Sequence, residues 1–344
     1  MTTANNKNLV PPAEWEPHAA VWTAWPTGDD LWAPEAKFAR LEVEGLIRSL
    51  SEDCNDRKGD KVKLLVKNEE ARDNAYAALG DLAEIILQPY GDIWLRDIGP
   101  IFLSNELAAS FRVNGWGGKY IYEHDDKVSR AVAWLADARS EQHEFILEGG
   151  AIDGDGNGTF LTTRECLLNP NRNPDWKSEV DAETALEKTL GARKVIWLDG
   201  GLMNDHTDGH VDNVARFVGP SHVVCQAPTG DDDPNADVLN AIYDVLVHST
   251  DADGNKLKVT QIPSPGKYLN DEGDIVPASH MNFLIGNASV VMPTYGELSE
   301  EAAEEAVSIL QDVFKDRQVI GQPSNYILTG GGSFHCITQQ QPAE

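Results

Sequence analysis

A cysteine stands near the end of the chain in GGGSFHCITQQQPAE, behind Gly330 to Gly332 and directly after His335. A glycine run lets backbone approach another group closely, and a thiol beside it can serve as a nucleophile. A thiol with an ordinary pKa of about 8.5 needs a positive group, a helix end or a base nearby to attack near neutrality. In an extended segment His335 would project away from Cys336, so a histidine from another loop, such as His210, is the better partner. The alternative is a buried, inert cysteine, which is a common core residue.

Three further loops concentrate polar side chains. In QPYGDIWLRDIGPIFL (88–103), Asp92 and Asp97 flank a Trp-Leu-Arg segment that ends in the Gly99-Pro100 turn. Carboxylates beside Trp94 can hold a cation by charge and by a π face. The alternative is a turn in which Asp97 pairs with Arg96 or accepts a backbone amide. In LEGGAIDGDGNGTFL (147–161), Asp153, Asp155, Asn157 and Gly158 match the start of an EF-hand loop, but Arg164 stands where the bidentate glutamate belongs. A glycine-rich hairpin turn is expected there instead, which leaves Glu148 as a carboxylate beside a tight turn.

In DGGLMNDHTDGHVDNVARFV (199–218), His206 and His210 are four apart, but Thr207 and Gly209 break any likeness to a helical H-E-x-x-H zinc motif. Metal binding by His206, His210 and Asp212 is one reading. In an extended HVD segment, however, His210 and Asp212 project to the same side. One would then act as general acid/base while the other holds a substrate cation.

A thiol, a histidine and several carboxylates, with no phosphate-cradling glycine loop and no complete metal set, suit one class of substrate well. A guanidinium is planar, permanently charged and offers five N–H donors that carboxylates can grip bidentately. Its central carbon is a poor electrophile and its amino group a poor leaving group. Fixed carboxylates, an attacking thiolate and a proton-donating imidazolium meet those needs.

The elements that must position these groups alternate along the chain. Helical periodicity runs through 34–50, 69–80, 125–138, 177–191, 235–248 and 299–314, with start signals at Pro34, Ser178 and Ser299 and stops at Gly80 and Gly191. Short apolar runs of strand length lie between them at 20–25, 61–66, 84–88, 144–147, 194–198, 222–226 and 289–293. The sustained alternation predicts an α/β class, and helices about 50 residues apart suggest a hidden repeat. No linker divides residues 1–344, so a single domain is expected.

The chain has 56 acidic and 28 basic residues, a formal charge of −28. That argues against nucleic acid and suits a small cationic substrate. No apolar run is long enough for a membrane span, and the opening MTTANNKNLVPP lacks a signal segment, so a cytoplasmic, membrane-free protein is expected. The cysteines Cys54, Cys166, Cys225 and Cys336 form no C-x-x-C pair, and the first three read as packing residues. His18, His124, His143, His222 and His248 read as ordinary surface or core histidines. A homo-oligomer is compatible with the sequence, which does not fix the number of subunits.

The blocks PPAEWEPHAAVWTAWP, DIWLRDIGP, NGWGGK, LEGG, GHVDN, PASHMNF and GGGSFHCITQQQP, in that order from residue 11 to 342, resemble the agmatine deiminase and bacterial-type peptidylarginine deiminase family of the guanidine-modifying superfamily. The resemblance implies a five-bladed, pseudo-symmetric α/β propeller, the pentein fold, of ββαβ-type units around a central active-site channel. It also implies roles. Cys336 would be the nucleophile, His210 the general acid/base, and Asp97 and Asp212 the guanidinium clasp. Glu148 would orient His210 or help hold the cation. Trp94 would wall the channel, with Asp92 and Gly331 counted among the substrate-binding residues.

No cofactor or metal is implied. The implied reaction takes a small guanidine, with agmatine first, to a ureido product and ammonia through a covalent thiouronium. With agmatine the product is N-carbamoylputrescine, on a route to putrescine. The chain departs from the family pattern at His206 and Asp208, where acidic residues and Thr-Asn are usual. It departs also at His280 and Leu284, where tyrosines are common, and at Ser333-Phe334, which replaces Asn-Ile. These bear on the choice of guanidine. Arginine, a methylarginine or peptidyl-arginine is the nearest alternative, and arginine would need a cationic clamp for its α-carboxylate. A metal-dependent hydrolase and a non-catalytic polyamine binder are the more distant ones.

Overall fold

The structure, a computed structural model, describes residues 10–27, 31–32, 34–270 and 272–344, with backbone alone at Leu298. Most of the polar opening, on which the expectation of no signal segment rests, falls at residues 1–9 and so lies outside that range. Among the described residues, no helix is long and apolar enough to cross a membrane.

The described strands form five separate sheets. Four of them share one plan: a short antiparallel pair, a helix, and a third strand parallel to the second. Ile101–Ser104, Leu107–Arg112 and Arg139–Ile146 make one, with helix Asp125–Leu135 as the crossover. Ile152–Gly154, Thr159–Thr163 and Lys194–Leu198 repeat it around helix Glu179–Leu190. Ala215–Gly219, His222–Ala227 and Lys258–Pro263 use helix Ala236–His248, and Leu284–Ile285, Ser289–Thr294 and Gln318–Pro323 use helix Glu300–Val313. Parallel strands need such a crossover, and a helix supplies it while covering the sheet's face.

The remaining blade is assembled from both ends of the described chain. Thr338–Pro342 pairs antiparallel with His18–Ala24, which runs parallel to Val62–Val66, itself parallel to Ala83–Leu87. Helices Ala36–Ser51 and Glu69–Leu79 make its crossovers. Thr23 Oγ1 donates to Ile337 O at 2.9 Å and Trp22 Nε1 to Gln341 Oε1 at 3.1 Å, which fixes the register of the joint. The result is the five-bladed α/β propeller of ββαβ units.

Helix ends follow local chemistry. Ser178 and Asp181 form a capping box at Glu179–Leu190, and Asn68 caps Glu69–Leu79 by accepting from Ala71 N. Gly191 ends its helix in the left-handed region with φ 63°. On Ala36–Ser51 the side chains of Val43, Leu46, Ile47 and Leu50 are fully buried at helical spacing. Each such burial contributes about 2 kcal/mol.

The propeller delivers side chains to one place by a repeated device. Asp97 lies just ahead of Ile101–Ser104, Glu148 ahead of Ile152–Gly154, and Asp212 ahead of Ala215–Gly219. Asn282 precedes Leu284–Ile285 and Cys336 precedes Thr338–Pro342. Each blade thus contributes the turn that enters its first strand, and the five turns meet.

Candidate active site

The turn at 333–337 sets the thiol. Ile337 N donates to Ser333 O at 3.2 Å, so the segment coils instead of extending. Cys336 is 3% exposed, and its Sγ receives Asn282 Nδ2 at 3.0 Å while Asp212 Oδ2 lies at 3.5 Å. Burial, then the nearby Asp212 and Asp97 carboxylates, hold the thiol pKa well above its ordinary value. The extended path that would project His335 away from the thiol is absent, and His335 is engaged instead in a buried chain. Its Nδ1 lies 2.7 Å from Asp212 Oδ2 and its Nε2 2.9 Å from Glu14 Oε2.

Asp97 sits in the short helix Leu95–Ile98. Its Oδ2 accepts Trp116 Nε1 at 2.8 Å and its Oδ1 accepts Gly150 N at 3.0 Å. Arg96 is not its partner; that guanidinium donates to Gln340 Oε1 at 2.8 Å and lies 3.6 Å from Glu14. Burial raises the Asp97 carboxyl pKa, and the neighbouring His210 charge pulls against it.

One expectation about the histidine segment needs correction. Val211–Asn213 is a 3-10 turn, not an extended strand, because His210 N is captured by Thr207 Oγ1 at 3.0 Å and Val214 N by Val211 O at 2.9 Å. His210 and Asp212 still converge. A methyl group at Gly150 would lie 2.6 Å from His210 Nδ1 and 3.0 Å from both Asp212 Oδ2 and Asp97 Oδ1. His210 is fully buried, with Nδ1 3.7 Å from Asp97 Oδ1 and neither ring nitrogen at hydrogen-bond distance from a nitrogen or oxygen partner. Burial works against its charge, yet Asp97, Cys166 and Asp212 hold the imidazole pKa well above its ordinary value. His335 and His210 act the opposite way on Asp212, whose carboxyl stays lowered despite burial.

Glu148 pairs with Arg172 Nε at 3.0 Å, and Arg172 in turn pairs with Asp208, which also accepts from Asn171 Nδ2 at 2.9 Å and pairs with Lys119. One ligand atom each from Glu148, Cys166 and His210 lies within 4.8 Å of the others. Cys166 is therefore a neighbour of the histidine as well as a packed core residue. His206, His210 and Asp212 form no such cluster among the described residues.

A cavity of about 240 Å³ leads down to Cys336 and Asp97, walled by Trp32, Trp94 and Trp116. Asp92 lines it, but Trp32 Nε1 and Trp94 Nε1 take its two oxygens at 2.9 and 2.7 Å, so this carboxylate orients indoles. The glycine run has a steric reason. A side chain at Gly330 would meet Trp94 at 2.6 Å and Trp32 at 2.7 Å, and Gly331 has φ 104°. At the mouth, His206 Nδ1 lies 3.3 Å from Tyr120 Oη, and no lysine or arginine lines the cavity among the described residues. A second hollow of about 700 Å³ shares His206, Thr329 and Gly331 with the first and carries Glu272 and Asp274. Arg172 and Arg216 are buried in ion pairs with Glu148 and Asp208, and with Glu14 and Asp153.

Sequence reasoning missed Asn282, Glu14, Trp116 and Cys166. The first three lie inside the blocks PASHMNF, PPAEWEP and NGWGGK, which were legible as blocks without any role for these residues.

The model of the Porphyromonas-type peptidyl-arginine deiminase family matches residues 10–342. A protein of Marinomonas sp. (strain MWYL1), provisionally named an agmatine deiminase, is 37% identical over 96% of this chain and 94% of its own. The agmatine deiminase of Enterococcus faecalis superposes with a TM-score of 0.90 at 30% identity, covering 99% of this chain and 98% of that one. The dimethylarginine dimethylaminohydrolase of Pseudomonas aeruginosa shares the fold alone, with a TM-score of 0.51 at 13% identity over 94% of this chain and 99% of that one. The fold is that of the agmatine and peptidyl-arginine deiminases. This chain belongs to the Porphyromonas-type peptidyl-arginine deiminase family.

Proposed function

We propose that this protein hydrolyses agmatine to N-carbamoylputrescine and ammonia, with residues 1–344 acting as one catalytic domain in the cytoplasm. The observation that carries the choice of substrate is the cavity mouth. No lysine or arginine lines it among the described residues, and nearby Lys119 is held by Asp208 and by the His206 carbonyl, while Glu272 and Asp274 stand in the adjoining hollow. A far-end ammonium suits that field and a carboxylate does not. The likeness to the Enterococcus faecalis agmatine deiminase supports the same choice, and four unpaired cysteines suit a reducing compartment.

Asp97 and Asp212 hold the guanidinium between the Trp94 and Trp116 walls. The cation neutralises the carboxylates that keep the Cys336 thiol protonated, so the thiol loses its proton to solvent as substrate arrives. The thiolate, held by Asn282 Nδ2, attacks the guanidinium carbon. The imidazolium of His210 gives its proton to the departing nitrogen, and ammonia leaves. The planar thiouronium that remains is still cationic and stays clasped. Water, losing a proton to His210, then adds to the carbon and expels the thiolate, giving the ureido product. Glu148 acts through its closeness to His210. No cofactor enters these steps.

The test is ammonia release from agmatine, arginine, methylarginines and an arginyl peptide, beside Cys336→Ala. Turnover of agmatine alone, lost in the variant, is expected. Preference for arginine would overturn the reading of the mouth, and turnover by Cys336→Ala would overturn the mechanism.

A further inference from the structure

Beneath the cavity, Glu148, Cys166 and His210 come from three different segments and bring one carboxylate oxygen, one sulfur and one ring nitrogen within 4.8 Å of one another. All three are buried. The segments are tied together. Thr163 Oγ1 accepts Cys166 N at 3.2 Å and donates to Gly209 O at 2.6 Å, locking the cysteine's short helix Arg164–Leu167 against the residue before His210. His210 is fully buried, yet both its ring nitrogens lack a nitrogen or oxygen partner. A buried imidazole that meets a thiol and carboxylates at longer range in place of a close nitrogen or oxygen partner is an uncommon arrangement, since buried polar groups nearly always find one.

We propose that Glu148, Cys166 and His210 form a site for a thiophilic divalent cation of the Zn²⁺ class, which occupies a ring nitrogen of His210 and so switches the enzyme off. Mixed nitrogen, sulfur and oxygen ligation with a fourth position open is ordinary for Zn²⁺, and the sulfur excludes hard ions such as Mg²⁺ and Ca²⁺. Bonds of about 2.0–2.3 Å set tetrahedral donors about 3.3–3.8 Å apart, so small side-chain rotations complete the shell. Charge is conserved on loading. The ion brings two positive charges, and two protons leave, one from the Cys166 thiol and one from the His210 imidazolium. Arg172 stays balanced, because Asp208 holds it as well as Glu148. The inhibition rests on the acid/base role proposed for His210; the binding does not.

The experiment uses the full chain and Co²⁺ as a coloured stand-in for Zn²⁺. A thiolate-to-cobalt charge-transfer band should appear at one equivalent in the wild type and in Cys336→Ala, and be absent in Cys166→Ala and Cys166→Ser, with folding checked by circular dichroism. Glu148→Gln should weaken Co²⁺ binding at least tenfold, which keeps the proposal testable if both Cys166 variants fail to fold. Absence of the band from the wild type, or a band lost with Cys336 and kept without Cys166, would overturn the site. In parallel, Zn²⁺ should abolish ammonia release and a chelator restore it. Activity that persists in the Zn²⁺-loaded enzyme would overturn the switch. If agmatine is not turned over at all, the proposed function and the inhibitory consequence fail together while the cobalt spectrum still decides the site.

Discussion

Asn282 holds Cys336 at two points: its Oδ1 accepts the Cys336 amide at 3.1 Å, and its Nδ2 donates to Sγ at 3.0 Å. The same Oδ1 also accepts His335 N at 3.0 Å. One amide therefore sets both the path of the nucleophile turn and the electrostatics of its sulfur. A donor facing sulfur favours the thiolate, and it opposes the burial and carboxylates that raise the thiol pKa.

Asn282→Ala should raise the Cys336 pKa further and lower kcat/KM for agmatine about 10-fold to 100-fold, the range for losing a hydrogen bond to a charged group. The alkylation rate of Cys336 by iodoacetamide, followed against pH, checks it. A midpoint that stays put or moves down would count against the assigned role.

Asp97→Asn should move the same midpoint the other way. Removing a negative charge near the thiol lowers its pKa, so alkylation near neutrality speeds up while turnover collapses for want of the clasp. Opposite shifts in two variants that both lose activity would separate thiol ionisation from substrate binding. Parallel shifts would contradict the account of what raises the thiol pKa.

Gly150→Ala should abolish turnover and leave the propeller folded. The added methyl lands 2.6 Å from His210 Nδ1 and 3.0 Å from Asp97 Oδ1, in the space where the three groups converge. Circular dichroism with a kinetic assay separates the two effects; retained activity would mean that His210 has room to move without consequence.

Glu42 gives a prediction about stability. It lies on helix Ala36–Ser51 and accepts Tyr326 N at 3.0 Å and Ile327 N at 2.8 Å. Burial outweighs those amides and raises its pKa from 4.5 to about 7. A raised carboxyl favours its neutral form in the folded state. The stability it confers is thus present below pH 4.5 and lost as pH rises to about 7. At about 1.4 kcal/mol per pH unit the loss is up to about 3 kcal/mol. Urea unfolding of wild type and Glu42→Gln across that window should show the variant gaining by up to this amount, and a constant difference would refute it.

Much of the fold was legible because its helices are long and periodic. Each of the six expected helices is found, with ends shifted by a few residues. The entering strands were harder, since Ile101–Ser104, Ile152–Gly154 and Leu284–Ile285 are too short to carry an alternating pattern. The site divides along the same line. Cys336, His210, Asp97 and Asp212 are chemically conspicuous in their loops, whereas Asn282 and Cys166 acquire meaning only from neighbours more than 40 residues away. The extended reading of HVD failed because a threonine side chain, Thr207, captures the His210 amide and turns the backbone.

The pairing of Thr338–Pro342 with His18–Ala24 ties the closure of the ring to the turn that carries Cys336. Cys336 lies just ahead of Thr338–Pro342, so the strand that closes the ring also anchors the turn whose sulfur meets Asn282 and Asp212. That joint pairs residues more than 300 apart, the kind of non-local contact that slows folding. The appearance of activity during refolding should therefore track closure of the ring.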